Sequence, residues 1–309
     1  MDMEKPFPAK YLHRFSDISP QDLASLQKIW DFIPHSRKIS VLEDLEEIAD
    51  SDTLTSFAYL GLFALTDADP GVRELAIRLL WECEDHKLIG RLTDVLRNDP
   101  ETQVQAAAAN ALGLFVYLGE MEKIRKEDYT AIQDLLIEKF GISNPLVIRR
   151  RAIESLGYSS SPKVDKLIRK AYSDPDKKMV ASALFAMGRS ANDDWNEIVL
   201  SNLQNLNVDI QVEAVRAAGE LELQTAREEI LELLDDEGLD LDVLLAAAWS
   251  LSQIGGQGVQ DKLEAMLDDP DLDEETLELV DSALENLVFN DSLGNFNLME
   301  LDEDLDIDE

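Results

Sequence analysis

A turn-and-helix unit that recurs every thirty-odd residues leaves this 309-residue chain little choice of architecture. The unit is clearest at residues 99–113, DPETQVQAAAANALG. An Asp-Pro turn is followed by Val104, Ala108 and Leu112 at four-residue steps, and then by Gly113. Four-residue steps place the three apolar residues on one side of an α-helix. Equivalent first apolar positions stand at Val72, Val104, Ile148, Met179, Ile210, Val243 and Thr276, and a weaker copy is centred near Ser40. Between each pair of these helices lies another apolar-periodic stretch, so the chain reads as helix pairs. Units of this size cannot bury their own apolar side alone and must stack on one another. One long step, from Val104 to Ile148, marks an insertion of roughly a dozen residues near Gly119–Asp128.

The residue types fit stacking. A small Ala in the middle of the second helix lets neighbouring helices approach, and the flanking Val, Ile, Leu or Met fills the seam. Asp or Asn before Pro ends the first helix and opens the turn. Gly113, Gly157, Gly188 and Gly219 recur near the end of the second helix. Ser19-Pro20 supplies an N-cap and a first helical residue, so helices begin there. Residues 1–18 are expected to form an extended lead-in, 19–289 the repeat array and 290–309 a disordered acidic tail. In that tail acids alternate with Phe296, Leu298, Met299, Leu301, Leu305 and Ile307.

The pattern resembles HEAT repeats, in particular the short bacterial HEAT-like repeats of the phycobilisome-lyase type. The stretches that carry the resemblance are DPGVRELAIRLL (69–80), NPLVIRRRAIESLG (144–157) and DPDKKMVASALFAMG (174–188). It extends over about Ser19–Phe289. It implies an all-α fold, a right-handed α-α superhelix of about eight helical pairs. It also implies a ladder in which a basic residue after the first apolar position pairs with a turn Asp. Arg73 and Arg149 match that rule, whereas Gln105, Val180, Gln211 and Leu244 depart from it.

Charge narrows the function classes. The formal net charge is −36. Residues 190–309 carry 34 acidic and 3 basic residues, whereas 119–189 carry 10 and 14. Nucleic acids and anionic membranes would be repelled by the acidic stretch, and a basic protein would be attracted. No apolar run approaches the roughly 20 residues of a membrane span. A single cysteine, Cys83, fits a reducing cytoplasm, and the first residues lack a signal-peptide profile.

Catalytic and metal constellations are not recognisable. His13, His35 and His86 stand in no ligand spacing with one another or with Cys83. The HEAT-like hydroxylases of the resembling class use His-Glu pairs, and this chain contains no such dipeptide. Asp269, Asp271 and Asp273 begin like a calcium loop, but Glu274 and Val280 replace the required Gly and Glu. Gly255-Gly256-Gln257-Gly258 follows a helix rather than a strand, so it is no phosphate loop. No catalytic residue, metal or cofactor is expected.

The resemblance implies that second helices line the concave side. Six residues after each first apolar position fall Arg78, Asn110, Glu154, Phe185, Arg216, Trp249 and Ser282. Arg78, Asn110, Phe185, Arg216 and Trp249, with the basic neighbours Arg150 and Arg151, are therefore the candidate partner-binding residues. The expected function is a non-catalytic protein-interaction scaffold or adaptor. The alternative implied by the resemblance is a phycobilin-lyase-like or other enzyme-assembly subunit.

Overall fold

The computed structural model describes residues 7–52, 54–236 and 238–303. The chain divides into two compact units, residues 1–159 and 160–309. Both are α-α solenoids.

The first unit opens with a short 3-10 segment, Ala9–Phe15, where an extended lead-in was expected. Leu12 is buried there, which ties the segment to the helices. Residues 1–6 of the lead-in lie outside the described residues. Four helix pairs follow. They are α1 (Pro20–Trp30) with α2 (His35–Ser51), α3 (Ala58–Ala64) with α4 (Pro70–Arg78), α5 (Lys87–Asn98) with α6 (Thr102–Glu120), and α7 (Lys126–Lys139) with α8 (Leu146–Leu156). The second helices stack in series, α2 on α4, α4 on α6 and α6 on α8.

The second unit has four more pairs. They are α9 (Pro162–Tyr172) with α10 (Lys177–Arg189), α11 (Asn196–Leu200) with α12 (Val208–Glu220), α13 (Arg227–Leu233) with α14 (Leu241–Ile254), and α15 (Val259–Leu267) with α16 (Glu274–Glu303). Here α10 packs on α12, α12 on α14 and α14 on α16. The last helix passes through Asn290, where the sequence placed the start of a disordered tail, and runs to Glu303. No proline interrupts it, and Asn290 Nδ2 donates to the Ser252 carbonyl at 3.4 Å. Residues 304–309 of that tail lie outside the described residues.

The repeated register is the core. Val72, Val104, Ile148, Met179, Ile210, Val243 and Thr276 are all buried, and so are the alanines four residues on, from Ala76 to Ala247. The first copy differs. Ser40 is only half-buried, and Lys38, Leu42 and Leu45 take the inward positions instead. Lys38 Nζ donates to Asp67 Oδ2 at 2.7 Å, and this contact sets how α2 is turned.

That contact is a ladder rung. In the next rung Arg73 grips Asp99 with both fork nitrogens, Nε at 2.8 Å and Nη2 at 2.9 Å, while Nη1 donates to the Asp67 carbonyl. The later glutamines keep only the last of these jobs. Gln105 Nε2 donates to the Asp99 carbonyl at 2.6 Å, and Gln211 Nε2 to the Leu203 carbonyl at 2.9 Å. Arg149 donates to the Phe140 carbonyl and lies over the Phe140 ring. Satisfying the carbonyls of the turn is thus the shared task, and a cation is one way to do it.

The rungs make stability acid-sensitive. Burial by itself would raise the pKa of Asp99; the hydrogen bonds from Arg73 and from the Glu101 amide outweigh it and hold the value below 3.8. A carboxylate with a lowered folded pKa stabilises fully above its unfolded pKa and loses that contribution as pH falls through the folded value. The difference in melting temperature between wild type and Asp99→Asn should therefore be full above about pH 5 and close below about pH 4. A gap that persists unchanged at about pH 2.5 would show that Asp99 acts by shape rather than charge.

Residues 119–128 span the end of α6, a short turn and the start of α7. The α6 helix has 19 residues, against 13 in α10 and α12. The turn after it places Glu122 at φ 56°. The ring of Tyr129 then lies against Gly119, which has no side chain to obstruct it. The Tyr129 hydroxyl meets Glu120 and Ser159, and Gln133 Nε2 donates to it at 2.6 Å. Burial first, and then the Glu120 contact, push the Tyr129 pKa up to about 12. Tyr129→Phe should cost about 1–3 kcal/mol in denaturant unfolding, because it removes the hydroxyl through which half-buried Glu120, Ser159 and Gln133 meet. An unchanged midpoint would count against the network.

Candidate functional site

The position six residues past the first apolar residue points away from the buried stripe, because six steps of about 100° come to about 600°, or about 240° beyond one full turn. In the second unit these positions converge. Phe185 of α10, Arg216 of α12, Trp249 of α14 and Ser282 of α16 line one open cleft of about 830 Å³. Leu279 and Phe289 of α16 also line it. Trp249 is 37% exposed, Leu279 49% and Phe289 60%, so the cleft presents contiguous apolar surface to solvent.

Small residues make the room for it. A side chain at Gly219 would meet Ser250 Cα and Trp249 Cζ3, each at 2.8 Å. The indole of Trp249 thus lies over a helix surface kept bare by Gly219. Ser250 Oγ, beside it, donates to the Val215 carbonyl at 2.7 Å and ties α14 to α12. The first unit repeats the device, with Ser155 facing Gly113 and donating to the Ala109 carbonyl at 2.9 Å.

The charged lining is mixed. The Arg189 guanidinium sits 4.0 Å from the centroid of the Phe185 ring, and both Arg189 and Glu213 are engaged within the protein. Exposed Arg216 has no hydrogen-bond or ion-pair partner among the described residues, although Glu213 and Glu220 flank it along the helix. Glu220 and Glu285 are exposed at the lining.

Arg78 and Asn110 line a separate, smaller cleft of about 300 Å³ in the first unit, with Glu46, Asp50 and Trp81. Arg78 Nε is spent on Glu46 Oε1 at 2.6 Å. Arg150 and Arg151 lie in neither cleft. Both turn to buried Glu154, Arg150 at 3.7 Å and Arg151 at 2.7 Å, so this basic run is largely committed inside its own helix.

Sequence reasoning missed Arg189, Glu220 and Asn286. Each falls ten residues past its first apolar position, one helical turn beyond the six-residue position, and that simple extension would have found them. It also missed Trp81, 52% exposed, because Trp81 lies past the end of α4.

Other sequence features have structural uses. Asp269 Oδ1 accepts from the Asp271 amide and Asp273 Oδ1 from the Thr276 amide, so these acids close a turn and cap α16. Gly255, Gly256 and Gly258, at φ 61°, 95° and 84°, form the connection from α14 to α15. His13, His35 and His86 are exposed, and Cys83 is half-buried. Among the described residues no group of three His, Cys, Asp or Glu side chains is placed to hold a metal ion. No described helix is long and apolar enough to cross a membrane.

No curated protein matches the chain. Among solved structures it is similar to YibA of E. coli, at 17% identity and a TM-score of 0.44, covering 92% of this chain and 98% of that one. It is similar to the complex of CpcE and CpcF of phycocyanin lyase from Nostoc sp. PCC7120, at 16% identity and a TM-score of 0.49, covering 74% and 94%. Human deoxyhypusine hydroxylase, in complex with glycerol, gives 15% identity and a TM-score of 0.39, covering 91% and 96%. Residues 196–282 match the family described as HEAT repeats, and the same helix pair, turn and buried register recur before and after them. Residues 196–282 of the chain are thus similar to HEAT repeats.

Proposed function

We propose that the protein is a non-catalytic interaction scaffold that holds a partner protein against its second helices. The convergence of Phe185, Trp249, Leu279 and Phe289 on one open cleft carries the reading. Exposed aromatic and aliphatic side chains gathered in a concavity are what a partner can desolvate, and Trp and Arg supply most of the energy at protein interfaces. Arg216 and Trp249 are the central contacts. Arg78 and Asn110 form a second, smaller contact site, and Arg150 and Arg151 add positive charge at the surface of α8. The excess of acid in residues 190–309 favours a basic partner. The single cysteine favours work in the cytoplasm.

Affinity capture from source lysate, followed by titration of the captured protein, tests the reading. Trp249→Ala should weaken binding about 30-fold with the melting temperature little changed, as expected for a half-exposed interface anchor. A folded Trp249→Ala, Arg216→Ala double variant that binds as well as wild type would remove the cleft from the function.

A further inference from the structure

We infer that the occupant of the second unit's cleft is an amphipathic, lysine- or arginine-bearing α-helix of a partner protein. This inference rests on the scaffold reading and specifies the chemistry of the partner. The walls of the cleft are helices whose backbone groups are already paired, so they offer no free edge to which an extended strand could bond. What they offer is side-chain surface, and a helix meets it with its own backbone satisfied and one apolar face turned inward. The cleft crosses α10, α12, α14 and α16. Three spacings of about 9 Å make about 27 Å, the length of roughly 18 helical residues.

Charge settles the polar face of that helix. Of the three basic residues in 190–309, Lys262 is bonded to Asp235 at 2.5 Å and Arg227 donates to Gln224 Oε1 at 2.8 Å. Against the 34 acids of this stretch that leaves the charges of Arg216 and Arg227, and the cleft lining itself carries Glu213, Glu220 and Glu285 against Arg189 and Arg216. An anionic helix laid there would face that field, whereas a cationic one gains from it. Arg216 then meets the C-terminal end of the helix, where unpaired carbonyls carry about half a negative charge.

The test uses fluorescein-labelled 18-residue peptides and the full chain, read by anisotropy at low and moderate salt. One peptide is a Leu/Lys amphipathic helix, the second its Leu/Glu counterpart, and the third the Leu/Lys composition scrambled to abolish amphipathicity. The Leu/Lys helix should bind, and Trp249→Ala should weaken it about 30-fold. Glu220→Lys with Glu285→Lys should weaken it about tenfold, while Glu228→Lys, an exposed acid of α13 outside the cleft, changes it less than about twofold.

Equal losses from Glu228→Lys and from the cleft pair, with Trp249→Ala neutral, would reduce the effect to diffuse charge and overturn the inference. Binding of the Leu/Glu helix instead would assign the cleft to an acidic segment, such as the chain's own C-terminal stretch, and would also overturn it. If the Leu/Lys peptide fails but a captured natural partner is still lost on Trp249→Ala, the helix assignment falls and the scaffold stands. If captured partners survive Trp249→Ala with Arg216→Ala, the scaffold cleft itself falls.

Discussion

Replacing Asp67 with alanine should lower the unfolding free energy of the first unit by about 4 kcal/mol, the range for breaking a buried ion pair from one side. Asp67 is the junction of that unit. Its Oδ2 accepts from Lys38 Nζ at 2.7 Å and from Trp30 Nε1 at 2.5 Å, and its Oδ1 accepts from the Asp69 amide at 2.8 Å. The Lys38 side chain is 4% exposed and lies 4.8 Å from the centroid of the Trp30 ring, which meets Phe63 edge-on. Without the carboxylate a buried ammonium and an indole N–H lose the acceptor they share. Most of the cost should come from the stranded ammonium. Adding Lys38→Met to Asp67→Ala should therefore recover a large part of it in urea unfolding. If the double variant is no more stable than Asp67→Ala, the loss lies in the turn that Asp67 shapes.

Gly219→Val should cost about 3 kcal/mol and should also abolish use of the cleft. The new Cβ would lie 2.8 Å from the backbone Cα of Ser250, and backbone cannot swing aside as a flexible side-chain end can. Relief requires α12 and α14 to part, which lengthens the 2.7 Å Ser250–Val215 bond and displaces the Trp249 indole. Gly90→Ala is the contrast. Nothing lies within 4 Å of its added Cβ, at the end of the first turn of α5, so it should stabilise by about 0.5–1 kcal/mol through helix propensity. Thermal melts of the two variants, with binding measured on Gly219→Val at a temperature where it is folded, check both claims. A Gly219→Val protein as stable as wild type would mean the helix pair is looser than its geometry implies.

These outcomes bear on how much of the protein could be read before its structure. Helix pairs, the buried register and the Asp-Pro turns were legible because each depends on a few neighbouring residues and the 3.6-residue turn of the helix. The Arg73 rung was legible through its family pattern, but Lys38 was not. It belongs to the weakest copy, and its partner lies 29 residues away. The same copy was centred on Ser40, and the ion pair turned α2 to bury Leu42 and Leu45 instead. Phe185, Arg216 and Trp249 were picked from one position per repeat, and all three line the second unit's cleft. Arg189 and Glu220 join them one turn further along α10 and α12, and Asn286 and Phe289 lie one and two turns past Ser282 on α16.

What the sequence by itself determined is local and periodic: which stretches are helices, where they turn and which side of each is apolar. Tertiary structure alone decided what happens to each polar side. Arg150, Arg151 and Arg216 look alike in sequence, yet the first two turn to Glu154 and the third is left open to solvent in a cleft. The difference arises from stacking. How closely two helices approach depends on residues about thirty positions apart, such as Gly219 and Ser250, and that approach settles whether a charge is spent inside the protein or faces a partner.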